Sequence, residues 1–158
     1  VGQGSQNLLS VSAQFAEAPG QLPRRAGPQA AADATGANYL NIPTTQGEDR
    51  AHLAAQLVKW VSSLKGKTVI ISLMGPVLFD LLAIFKEQGW SFPQDVGLVS
   101  FDDWAWSRFV GEGIFLVKQD MEMMGNLAAK RLLEQIEAGK PGAATTFVPV
   151  SWVKAPSV

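Results

Sequence analysis

Short apolar runs alternate with helical stripes along this chain, and that alternation is its tightest constraint on fold. Leu8–Ser12, Asn38–Ile42, Thr68–Leu73, Val96–Phe101, Ile114–Lys118 and Thr146–Val150 read as strands. Between them, apolar residues recur at helical spacing. In Asp49–Leu64 the stripe is Leu53, Leu57, Trp60, Val61 and Leu64. Leu22–Ala32, Val77–Gln88 and Met121–Ala138 complete the helices, with Pro28 predicted to kink or stop the first of these. Gly75-Pro76 opens the third, because a proline near the first turn lacks only an N–H that would be unpaired anyway. Strands that are apolar on both faces and alternate with helices predict an α/β fold, a parallel sheet flanked by helices. Ligands of such sheets bind beyond the carboxyl ends of the strands. Those ends are Ser12–Pro23, Pro43–Gly47 with Thr44, Ser72–Pro76 with Met74, and Asp102–Arg108.

Composition removes several function classes. The 158 residues suit one domain, and 13 Lys and Arg against 14 Asp and Glu leave no basic excess for nucleic acid. Without Cys, disulfides, thiolate nucleophiles and Cys-ligated metals are excluded. His52 is the one histidine, so no multi-His metal site exists, and its place on the polar side of its helix suits a solvent role. No apolar run approaches the roughly 18 residues of a membrane span, no secretory leader is visible, and a cytoplasmic location is expected. No phosphate-binding glycine motif occurs. No cofactor or metal is implied. The chain begins at Val1, and Val1–Gln6 reads as a cut end.

Ser100-Phe101-Asp102-Asp103-Trp104-Ala105-Trp106 follows a buried strand and so lies at the ligand edge. Carboxylates accept hydroxyl hydrogens and indole faces stack on C–H faces, a pairing that suits a sugar. The same residues could equally cap a loop and fill the core. Arg24-Arg25, after the first strand, could clamp a carboxylate or vicinal hydroxyls, or stay solvated. An acid/base pair of Asp102 and Asp103 would make an enzyme, but adjacent carboxylates rarely oppose one another across a bond. Met121, Met123 and Met124 read as core or interface filler, and Trp60 as core.

Three segments carry a family resemblance. Pro93-Gln94-Asp95-Val96-Gly97-Leu98-Val99-Ser100-Phe101-Asp102-Asp103, then Val117-Lys118-Gln119-Asp120-Met121-Glu122-Met123-Met124-Gly125, then Leu127-Ala128-Ala129-Lys130-Arg131-Leu132-Leu133 resemble the lactose-repressor (LacI/GalR) family of transcriptional regulators. Upstream, Gly4–Leu9 and Arg24-Arg25-Ala26-Gly27-Pro28 are collinear but weaker. The resemblance implies a periplasmic-binding-protein-like type I fold, of which this chain matches the C-terminal subdomain. It implies that residues 1–120 are the subdomain, 121–142 a helix packing on an absent N-terminal subdomain, and 143–158 a returning strand and tail. It implies effector sensing without chemical change, in a homodimer that meets operator DNA only through a helix-turn-helix absent from this chain. The rival on the same fold is a periplasmic sugar-binding protein of a transporter.

Residue by residue, the resemblance assigns Arg24 to holding the effector, Asp102 to its hydroxyls and Gln119 to the crossover beside the pocket. Trp104 joins these in the effector loop. Trp106-Ser107-Arg108-Phe109-Val110-Gly111-Glu112-Gly113-Ile114 resembles a subgroup that senses sugar acids, which would place a carboxylate on Arg24. Met74-Gly75 stand where the family carries an Asn-Asp pair, and Pro28 stands for its usual Phe. The dimer surface implied is Leu78, Leu82 and Phe85 with Ile114, Phe115 and Leu116. Leu127, Leu132, Leu133 and Ile136 would form an exposed stripe that drives self-association or docks on a neighbour, each Leu being worth roughly 1.5–3 kcal/mol when buried.

Overall fold

The computed structural model describes residues 5–13, 21–44, 50–102, 104–140, 142 and 145–158. The loops expected over 14–20 and 45–47, and Asp103, lie outside the described residues. The elements run β1 (Ser5–Ala13), α1 (Gln21–Thr35), β2 (Asn38–Thr44), α2 (Arg50–Ser63), β3 (Lys67–Ser72), α3 (Gly75–Gln88) and β4 (Gly97–Phe101). A 3-10 turn (Ala105–Phe109), β5 (Phe115–Gln119), α4 (Met121–Ala138) and β6 (Val150–Val153) follow. The sheet order is β2-β1-β3-β4-β5-β6, parallel except for antiparallel β6.

The pleat of the central strands sorts their side chains. Leu9 and Val11 of β1, Ile70 of β3, Leu98 of β4 and Leu116 of β5 join the main core with Leu53 and Leu57 of α2 and Leu78, Leu81, Ile84 and Phe85 of α3. The alternate residues Leu8 and Val69 face the other way and pack with Ala32 of α1 in a smaller cluster. On that second face Ser10 Oγ lies 2.7 Å from Tyr39 Oη and donates to Asn41 Oδ1 at 2.8 Å, while the Ser12 hydroxyl is buried without a hydrogen-bond partner.

Several expectations change in three dimensions. Pro28 does not stop α1, which continues to Thr35. Only the bond from residue 28 to the Arg24 carbonyl is forfeited. The Ala-rich turn that follows favours helix, and the Tyr39 hydroxyl donates to the Arg25 carbonyl at 3.3 Å. The last strand is Val150–Val153 rather than Thr146–Val150. Its register pairs Val150 with Gln119 and Val153 with Leu116, while Pro149 offers no ladder donor. Trp60 is 36% exposed and so sits beside the core stripe. Met121, Met123 and Met124 are exposed and fill no core within this chain. His52 is exposed, with Nε2 2.6 Å from Gln56 Nε2.

Two devices close the far end of the sheet. Ser157 is fully buried, its Oγ donating to the Leu98 carbonyl and accepting from the Phe115 N–H, both at 2.7 Å, and its carbonyl accepting from Leu98 N–H. The final residues thereby bridge β4 and β5 where their own ladder has not begun. After α3, the Asp95 carboxylate accepts from the Ser91 backbone N–H and hydroxyl, which holds it below the ordinary aspartate range.

α4 differs from the other helices. Asp120 caps it by accepting from Met123 N–H at 2.8 Å, and Gly139 ends it in the left-handed region. It buries none of its residues; Leu132, Leu133 and Ile136 are about 60% exposed. Among the residues assigned to a dimer surface, Leu78, Phe85, Ile114 and Leu116 are each at most 2% exposed. They lie inside this chain's own core and are not available to a second copy; Leu82 and Phe115 are half-buried. Leu78→Ala is therefore expected to lower unfolding stability by about 2–5 kcal/mol in chemical denaturation, with no change of association state. An unchanged denaturation midpoint would place Leu78 outside the core.

Candidate functional site

The site forms where the carboxyl ends of β3, β4 and β5 meet the first turns of α1. Parallel strands that all end at one edge leave their last carbonyls and side chains unpaired there. Register sets Phe101 opposite Val117, so Asp102 follows β4 just where Gln119 closes β5. The Asp102 N–H still donates to the Val117 carbonyl at 2.9 Å, but its φ is 75°. A non-glycine residue in that left-handed region is costly, and Asp is among the few that tolerate it. The bend turns the carboxylate across the sheet edge, where Gln119 Nε2 donates to Oδ1.

Arg24 approaches the same carboxylate from α1. Its Nη1 donates to the Leu73 carbonyl at 2.9 Å, and its Nη2 lies 4.0 Å from Asp102 Oδ1. Its guanidinium carbon sits 4.9 Å from the centre of the Phe101 ring, a cation–π contact. The Arg24 and Asp102 side chains are 22% and 34% exposed, so each is anchored and still reachable. Around them opens a cavity of about 890 Å³ lined also by Trp104, Lys118, Gln119 and Met121. A recess of about 520 Å³ shares Arg24 and Gln119 and runs on to Met124, Leu127 and Phe147. A cation, a carboxylate, a side-chain amide and an indole around an open cavity can grip hydroxyls and an acid group. Among the described residues no group of three or more His, Asp or Glu could hold a metal ion.

Arg24, Asp102, Trp104 and Gln119 come together; three other candidates do not join them. Thr44 ends β2, an edge strand, with β1 and β3 between it and β4. Met74 precedes α3 and packs on the main core, its carbonyl accepting from Ser72 Oγ. Trp106 stacks on Phe79 at 5.2 Å and stands behind Trp104, 6.2 Å away. It therefore supports the cavity wall and does not form it. Sequence reasoning missed Phe101, the Leu73 carbonyl and Gly75. Only Gly75 left a signal, a glycine at a helix start.

A profile of the periplasmic binding protein-like domain matches residues 3–158. The chain belongs to the periplasmic-binding-protein-like domain family. Its fold and motifs are those of a LacI/GalR-type effector-binding domain. It is 33% identical over 101 residues to the HTH-type transcriptional regulator KdgR of Bacillus subtilis, covering 63% of this chain and 30% of that protein. It is 30% identical over 146 residues to the regulator PtxS of Pseudomonas putida, covering 90% and 41%. The chain thus spans less than half the length of these curated relatives. Its fold superimposes on a probable maltose operon repressor malR from Staphylococcus aureus with TM-score 0.83 at 18% identity, covering 98% of this chain and 54% of that one. A LacI family regulator from Enterococcus faecium with bound ribose gives 0.72 at 19% identity, covering 98% and 57%.

The strain at Asp102 in this LacI/GalR-type domain is open to measurement. Asp102→Gly is expected to be at least as stable as the parent, and Asp102→Ala less stable than Asp102→Gly by about 1 kcal/mol, read by thermal unfolding. Equal stability of the two variants would show that the left-handed conformation is not maintained.

Proposed function

We infer that this chain is the effector-sensing part of a LacI-type transcriptional repressor, binding a sugar or sugar acid without changing it chemically. The observation that carries the reading is the convergence of Arg24, Asp102 and Gln119 at the carboxyl edge of the sheet. Arg24 would take the ligand carboxylate in bidentate fashion, and Asp102 and Gln119 its hydroxyls. The regulator names of the relatives and the ribose bound to one structural neighbour support it. In the whole protein, ligand would favour one of two conformations and so change affinity for operator DNA. DNA contact would fall to parts of the protein other than this nearly neutral domain. The location would be cytoplasmic, where DNA is.

The cavity is open on one side, so affinity is expected near 1 mM rather than micromolar. Isothermal titration of D-glucuronate into the chain should give heats that saturate in this range. Arg24→Ala and Asp102→Ala should each weaken binding about tenfold or more, the loss expected for a charge-assisted contact. Absence of binding by the parent, or parent-like binding by both variants, would refute the reading.

Two copies would pair through the outward side of α3. Leu82 is half-buried there and Phe79 55% exposed, and Phe115 of β5 is half-buried. This replaces the buried residues of the expected surface. Light scattering on eluted protein should show a concentration-dependent dimer that Leu82→Arg converts to monomer. A parent that stays monomeric at high concentration rules it out.

A further inference from the structure

Gly75 begins α3, and its backbone is not in the left-handed region that demands glycine. Glycine is a poorer helix residue than alanine, so the position needs another reason, and the reason is room. A Cβ there would lie 2.5 Å from Trp104 Cζ2 and 3.3 Å from Cε2. The indole therefore rests directly on the start of α3. Phe79 and Trp106 brace it, with ring centres 6.5 and 6.2 Å away. The indole Nε1 is buried without a hydrogen-bond partner, so the ring serves the cavity as an apolar plate and not as a donor. That plate lines the same cavity as Arg24, Asp102 and Gln119.

We propose that Trp104, seated on Gly75, is a ring-selecting wall that makes the site prefer a cyclic sugar acid to an open-chain one. The proposal rests on the reading of this cavity as a sugar-acid site. A pyranose presents a continuous C–H face that an indole can cover. An open-chain acid that also carries one carboxylate and several hydroxyls has no such face, and it loses more conformational freedom when held. Arg24 meets both carboxylates alike, so charge cannot discriminate between them. The wall can, because a rigid plate rewards only a rigid flat partner. Gly75 belongs to the device because any larger residue displaces the indole.

The test uses the 158-residue chain and three probes: D-glucuronate (cyclic acid), D-gluconate (open-chain acid) and D-glucose (cyclic, neutral). The parent should bind glucuronate about fivefold to tenfold more tightly than gluconate. Trp104→Ala should erase that preference by weakening glucuronate about fivefold to tenfold more than gluconate. Gly75→Ala should do the same, because its methyl group moves the ring. Glucose should bind more weakly than glucuronate in every variant that keeps Arg24. Thermal unfolding of Gly75→Ala, Trp104→Ala and the double variant controls for folding. Gly75→Ala should lower the melting temperature in the parent but not in the Trp104→Ala background. Additive melting shifts, a preference that survives Trp104→Ala, or equal binding of the two acids would overturn the wall while leaving the sugar-acid site standing. Failure of all three probes to bind would overturn both.

Discussion

The parallel ladder of β1, β3 and β4 is the constraint on which everything else here depends. Its pleat sends Leu9, Val11, Ile70 and Leu98 towards α2 and α3, and Leu8 and Val69 towards α1. Because side chains alternate, a slip of one residue would exchange these faces and bury the wrong set. The same register fixes the functional edge. Val11 opposite Ser72, Ser72 opposite Ser100 and Phe101 opposite Val117 bring the ends of β1, β3, β4 and β5 to one level. The Leu73 carbonyl, the Phe101 ring, the Asp102 carboxylate and the Gln119 amide then lie within reach of a single arginine. No one of these residues makes a site alone.

Arg24 shows how such an edge holds a cation in place. Its guanidinium is held by a carbonyl, an aromatic face and a carboxylate, so much of its conformational entropy is already lost before any ligand arrives. The carboxylate is in turn held by an amide and by a left-handed backbone that a glycine would adopt more cheaply. Local strain retained at a polar cavity fits a functional constraint better than a packing need. Pro28 lies one turn after Arg24 and withholds the N–H that would bind the Arg24 carbonyl. Tyr39 and Ser10 tie the neighbouring turn back to the sheet.

Most elements were legible because each has a local cause: alternation for strands, a stripe for helices, Pro76 at a helix start and Gly89 or Gly139 at a helix end. The errors have non-local causes. The final strand begins four residues beyond the start of the apolar run Thr146–Val150, which is as apolar as Val150–Val153, because only pairing with β5 distinguishes them. The resemblance implies a dimer surface at Leu78, Phe85, Ile114 and Leu116, which packing buries instead. Which side of α3 meets the sheet depends on how the helix is rotated in the packed molecule. Arg24, Asp102 and Gln119 stand at motif positions that a sequence displays, whereas the Leu73 carbonyl carries no such mark, since every residue has one.

The sequence by itself determined the α/β architecture, the exclusion of cysteine chemistry, and the strand ends at which a ligand site could form. These follow from periodicity and residue type, which are properties of neighbours along the chain. Tertiary structure alone decided that Trp104 faces the cavity while Trp106 stands behind it, that Gly75 is a seat for an indole, and that α4 leaves its apolar face uncovered. Those outcomes depend on which surfaces come within a few ångströms after folding. Residues 29 positions apart, such as Gly75 and Trp104, carry no local mark of having met.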